Sequence, residues 1–107
     1  MDLEYNQGIL FVRLKGELNK KSSFKVNNYL IPVLVKHKVK YLVYNLYLLD
    51  GIDEVGIDAL LNTKCAIKQN KGTIVMCEVN RKFKEQLKRL NIKKIENERI
   101  ALNLIEV

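Results

Sequence analysis

The sequence predicts an α/β fold: a mixed, mainly parallel sheet of four to five strands with about four helices packed against it. Two observations carry this. Short runs rich in β-branched and aromatic residues alternate with longer segments whose apolar residues recur at helical spacing. The alternation follows an opening pair of strands around Asn6-Gln7-Gly8, which adds an antiparallel edge. With 107 residues, 48% of them hydrophobic, residues 1–107 have the size and composition of one domain around one core.

Leu3 to Tyr5 and Ile9 to Leu14 form the opening hairpin, and Gly16-Glu17-Leu18-Asn19 is the connection out of it. Ser22 or Ser23 then caps a helix that buries Val26, Leu30, Val33 and Leu34. Pro32 removes one backbone bond from that helix, so the segment is kinked or broken into two turns. Tyr41 to Leu46 reads as a central strand, followed by a loop ending in Gly51-Ile52-Asp53. From Glu54 to about Gln69, Ile57, Leu60, Leu61 and Cys65 share one helical face, and Lys71-Gly72 supplies the stop. Thr73 to Cys77 is a buried strand, and Asn80 caps a helix over Arg81 to Leu90 that turns Phe83, Leu87 and Leu90 inward. Ile92 to Ile95 makes a last short strand and Asn97 to Leu104 a final helix. Periodicity leaves open whether both faces of the sheet are covered.

Composition excludes several function classes. The longest apolar stretch, Tyr29 to Val35, is far shorter than the roughly 20 residues that cross a bilayer, and the acidic start lacks the basic and apolar regions of a secretory signal, so a soluble, cytoplasmic protein without membrane insertion is expected. Cys65 and Cys77 fit neither a redox pair nor a zinc site and read as reduced packing residues. The lone His37, between two lysines, supports neither a metal site nor a nucleophile pair. A net charge of +7 invites a nucleic-acid reading, but the basic residues are dispersed over three segments without an RNA-binding aromatic motif, and the joint excess of Lys, Asn and Ile is what an AT-rich genome imposes. A solvated surface, with no specific nucleic-acid partner, is the expectation. Asp50, Asp53, Glu54 and Asp58 cluster around one helix start, but no base, nucleophile or phosphate-cradling glycine loop joins them, so neither an enzyme nor a metal centre is expected.

Three segments in order and at matching spacing resemble the STAS domain family, in particular the bacterial anti-sigma factor antagonists. Gly16-Glu17-Leu18-Asn19 is similar to that family's Gly-Glu-Leu-Asp, Tyr41 to Leu46 to its strand ending in Asn-Leu, and Asp53-Glu54-Val55-Gly56-Ile57 to its Asp-Ser-Ser-Gly-Leu. The resemblance spans almost the whole chain. It implies a STAS-like single domain, no cofactor, and a protein partner of the kinase-like anti-sigma type, through which sigma-factor-dependent transcription is regulated. A homodimer is left open.

In that family the first serine after the aspartate accepts phosphate at a helix start, where backbone N–H groups favour negative charge. Here Glu54 stands in its place with Val55 next, and the aspartate after Gly-Glu-Leu is Asn19. The resemblance therefore implies partner binding through Asn19, Lys20, Asp53, Glu54, Val55 and Gly56 without serine phosphorylation at the family site. Glu54 has two readings: a partial imitation of phosphate, with one charge against about 1.5 to 2, or an ordinary acid in a first helical turn capped by Asp53. The alternative role on the same fold is a STAS subunit of a transporter or of a stressosome-like sensory assembly.

Overall fold

The first two strands, β1 (Asp2–Asn6) and β2 (Ile9–Leu18), are antiparallel and meet at a two-residue turn, with Asn6 paired to Ile9. Gln7 and Gly8 both take positive φ there, at 53° and 83°, as a turn matching the strands' twist requires. This computed structural model describes residues 1–104. Beyond the hairpin, β3 (Tyr41–Ile52), β4 (Thr73–Cys77) and β5 (Lys93–Ile95) each join in parallel, giving a five-stranded sheet in the order β1-β2-β3-β4-β5. Sequential parallel strands joined by right-handed crossovers carry their helices to one face.

The packing agrees. On that face Leu10, Val12, Leu42, Tyr44, Ile74 and Met76 from the strands meet Val26, Leu30, Leu34, Ile57, Leu60, Ile67, Phe83 and Leu87 from the helices α1 (Lys20–Lys25), α2 (Ile31–Lys36), α3 (Glu54–Gln69) and α4 (Lys84–Lys88) and from the turns that adjoin them. The Tyr44 hydroxyl donates to Thr63 Oγ1 at 2.7 Å, and Thr63 donates to the Ala59 carbonyl at 2.9 Å, so the one phenol in this core is satisfied; burial pushes its ionisation up.

The opposite face is smaller and partly polar. Ile9, Phe11, Val43, Val75 and Cys77 are covered by α5 (Glu98–Leu104) through Ala101. The helix is tied down by a fork: Arg13 Nε and Nη2 reach the two oxygens of Glu98 at 2.9 and 2.6 Å, Asn45 Nδ2 adds a bond to Glu98 at 2.7 Å, and Arg13 Nη1 also holds Asp2 and Glu4 of β1. The hydrogen bond from Arg13 lowers the Glu98 ionisation, and the same bond raises that of Arg13. Cys77 lies under this helix, and burial pushes its thiol up to about 12.

Several sequence expectations are corrected. Gly16 to Leu18 continue β2 rather than leaving it, and the loop expected after Leu46 is strand as far as Ile52, because the two extensions pair from Lys15↔Leu48 to Leu18↔Ile52. Two register shifts let one extra β3 residue pass at each, and Tyr47 and Leu48, beside the first, are exposed. The helix after β2 is capped by Asn19, not by a serine, and Val33 faces solvent. Pro32 is accommodated by a break: the π-helical turn Val26–Leu30 precedes it, and the Ile31 N–H reaches back to the Val26 carbonyl. Cys65 is exposed, its expected core place being taken by Ala66 and Ile67. At the end of α3, Lys71 rather than Gly72 takes the left-handed φ of 59°. Gly72 is needed for another reason, since a Cβ there would collide with the Lys40 carbonyl. The segment expected as a helix over Arg81 to Leu90 is a single 3-10 turn, Arg81–Phe83, followed by the short α4.

Candidate functional site

The two loops singled out in the sequence meet at the C-terminal ends of β2 and β3, the end of a parallel sheet at which sites collect. Leu18 and Ile52, the last residues of these neighbouring strands, are register partners, so the next residues, Asn19 and Asp53, stand side by side as the caps of α1 and α3. The Asp53 N–H donates to the Leu18 carbonyl at 3.3 Å and ties the two connections together.

At the first helix start, Asn19 Oδ1 accepts from the N–H groups of Lys21 and Ser22 at 3.1 and 3.2 Å. Ser22 Oγ in return accepts the Asn19 N–H at 2.9 Å and donates to the Glu17 carbonyl at 2.7 Å. Ser22 thus closes the cap from its third position instead of forming it. Lys20 is exposed beside it, and an indentation of about 410 Å³ between β2 and α1, lined in part by Leu14, Lys15, Leu18 and Val26, adjoins this start.

At the second start, Asp53 Oδ1 accepts the Gly56 N–H at 2.9 Å. Gly56 is buried where α3 crosses the end of β2: a Cβ would collide with the Leu18 carbonyl oxygen and come within 2.8 Å of Ile52 Cγ1. Glycine is therefore demanded by close approach, not by backbone conformation. Val55 is exposed on the first turn. Glu54, next to the cap, turns its carboxylate sideways to Arg89 just past α4, with Nη2 to Oε2 at 2.8 Å, both side chains still largely in solvent.

The structure thus brings together Asn19, Asp53 and Gly56 and leaves Lys20, Glu54 and Val55 on the outside of the same surface. It adds a group invisible in the sequence. Gln86 Nε2 donates to the Ile52 carbonyl at 2.9 Å, and Glu85, Gln86 and Arg89 line a hollow of about 240 Å³ with Asp53, Glu54 and Ile57. Only the spacing of Gln86 and Arg89, three apart on one helical face, hinted at a shared direction. The four acids clustered in sequence do not converge: Asp53 is spent on its cap and Glu54 on Arg89, and among the described residues no three His, Cys, Asp or Glu side chains are placed to hold a metal ion.

Among the described residues, the buried thiol of Cys77 is held in its protonated form on the far side of the sheet, and the Tyr44 hydroxyl is committed to Thr63. Around the paired helix starts stand backbone amides, the two caps with Ser22, the exposed Lys20 and Val55, the Glu54–Arg89 pair, and Glu85 and Gln86. Such a surface suits recognition.

Known proteins share this fold. The STAS domain profile matches residues 1–106. The anti-sigma F factor antagonist of Paenibacillus polymyxa is 29% identical over 111 residues, covering 100% of this chain and 95% of that protein. Among solved structures, the anti-sigma factor antagonist SpoIIAA of Bacillus in its unphosphorylated form superposes with a TM-score of 0.82 at 15% identity, covering 97% of this chain and 96% of that one. The Thermotoga maritima protein TM1081 does so with a TM-score of 0.87 at 14% identity, covering 97% and 92%. No helix among the described residues is long and apolar enough to cross a membrane. With the profile spanning nearly its whole length and the five-stranded sheet agreeing, the chain belongs to the STAS domain family.

Proposed function

We propose that this chain is a non-enzymatic, cytoplasmic anti-sigma factor antagonist that binds a kinase-like anti-sigma factor through the paired helix starts and so regulates sigma-factor-dependent transcription. Asn19, Lys20, Asp53, Glu54, Val55 and Gly56 form the centre of that surface. The observation that carries this reading is the α3 start. Asp53 and Gly56 hold it against the end of β2, while Glu54 and Val55 occupy the positions where a hydroxyl would take phosphate. The likeness to the Paenibacillus polymyxa anti-sigma F factor antagonist, over both chains nearly end to end, supports an anti-sigma factor as the partner.

On this reading binding is not governed by phosphate at the α3 start. Ser23 is buried and Ser22 Oγ is engaged in the α1 cap, so the nearby serines are poor substitutes. The test is calorimetric titration of the chain into each kinase-like anti-sigma factor encoded in the same genome, with ATP present, followed by mass spectrometry. A saturable complex with one of them, at a Kd of about 1 μM or tighter, and no phosphate between Gly51 and Leu61 is the expected result. Binding to none of them, or a phosphate within that segment, removes the reading.

A further inference from the structure

Glu54 places a charge where the family that the chain resembles has a serine, and its carboxylate is paired. Arg89 pairs with it, and the backbone that carries Arg89 is anchored from several directions although α4 is only five residues long. Leu87 and Leu90 are buried at 1% and 0% exposure and seat α4 in the core. Gln86 bonds the last carbonyl of β3, and Lys64 Nζ of α3 reaches the carbonyls of Leu90 and Asn91 at 2.9 and 3.1 Å, satisfying the chain just past α4. Arg89 lies between these anchors, opposite Glu54.

Resting on the partner-binding reading above, we propose that Arg89 belongs to the partner-binding surface and works by keeping Glu54 neutralised when a partner covers the α3 start. While exposed, such a pair contributes little to the fold. Once a docked protein excludes water its importance changes, because an unpaired carboxylate under an interface is strongly unfavourable. The partner face that fits is therefore uncharged opposite the pair: it covers Glu54 and Arg89 together and supplies no cation of its own to Glu54. The site presents a fixed, balanced charge where a serine site would change its charge on phosphorylation. The interface extends accordingly beyond the two helix starts to Glu85, Gln86 and Arg89 of the α4 segment.

The experiment is a double-mutant cycle on the complex with the anti-sigma factor retained in the titrations, each variant first checked for folding by circular dichroism. Arg89→Ala is expected to weaken binding about tenfold or more. Arg89→Lys, which keeps the charge, should recover most of that loss. Removing the stranded carboxylate as well should also help, so that E54Q/R89A binds about tenfold tighter than R89A alone. An R89A variant that binds as tightly as the parent overturns the proposal, and so does a double variant no tighter than R89A, which would mean that Arg89 touches the partner directly. If the parent itself binds no anti-sigma factor, the functional reading fails and this inference fails with it. A parent that binds, beside an R89A variant that binds equally, sinks the inference alone.

Discussion

The starts of α1 and α3 stand side by side at one end of the sheet, yet they are held by different means. The α1 start is closed by neighbours in sequence: Asn19 and Ser22 satisfy each other's amides within three residues, and Ser22 reaches back only to Glu17. The α3 start has its own local cap, Asp53 Oδ1 to the Gly56 N–H, but is also fixed from a distance, by the Leu18 carbonyl against Gly56 and the Asp53 N–H. Gln86 holds the strand end beneath it. A locally closed cap can shift with its loop, whereas a helix start tied to β2, β3 and α4 moves only if they move. The difference explains why the α3 start can serve as the fixed half of a binding surface, with the α1 start beside it.

The contrast can be broken most severely at Gly56. A methyl group there must displace the end of β2 or lift α3 off it, so Gly56→Ala should lose about 1–3 kcal/mol or more in urea denaturation. A near-neutral result would mean that α3 does not press on β2 and that the two starts are equivalent. Asn19→Ala ranks next: with two amides left uncapped it should cost about 0.5–2 kcal/mol, and the loss should stay local, with amide exchange accelerated in α1 but not at the start of α3. Faster exchange at both helix starts would show that they are one unit. Arg89→Ala should change global stability least, by less than about 1 kcal/mol in the same denaturation assay, since its pair with Glu54 is largely solvated. A loss above about 2 kcal/mol would mark the pair as part of the fold instead of the surface.

Most of the architecture was legible because alternating strand and helix patterns and short turn signals act locally. Thr73–Cys77 and Glu54–Gln69 fall where their apolar spacing predicts. What sequence could not reveal depended on pairing. Leu48 to Ile52 look like a loop, with Asp50 and Gly51 among them, and become strand only because β2 runs alongside. Pro32 signals an interruption, but the π-helical form it takes depends on how the chain ahead of it packs. The same division holds at the site. The Asp53 cap and the Gly56 position could be read from a five-residue motif, whereas Arg89 lies 35 residues from Glu54, with β4 and α4 between them in the chain. Coverage of the second sheet face was equally hidden, since it rests on Ala101 packing against distant strands and on the pairing of Arg13 with Glu98, 85 residues away.

The most direct test of the account is the affinity of Glu54→Lys for the anti-sigma factor that the parent binds. The substitution reverses charge in a first helical turn and places a second cation beside Arg89, a change that should cost the exposed helix start only about 0.3–1 kcal/mol, so the variant remains folded by circular dichroism. If the partner covers this surface, binding should weaken by roughly 2–5 kcal/mol, about 30-fold or more. A folded Glu54→Lys protein that binds as tightly as the parent would contradict the account and place recognition away from the α3 start.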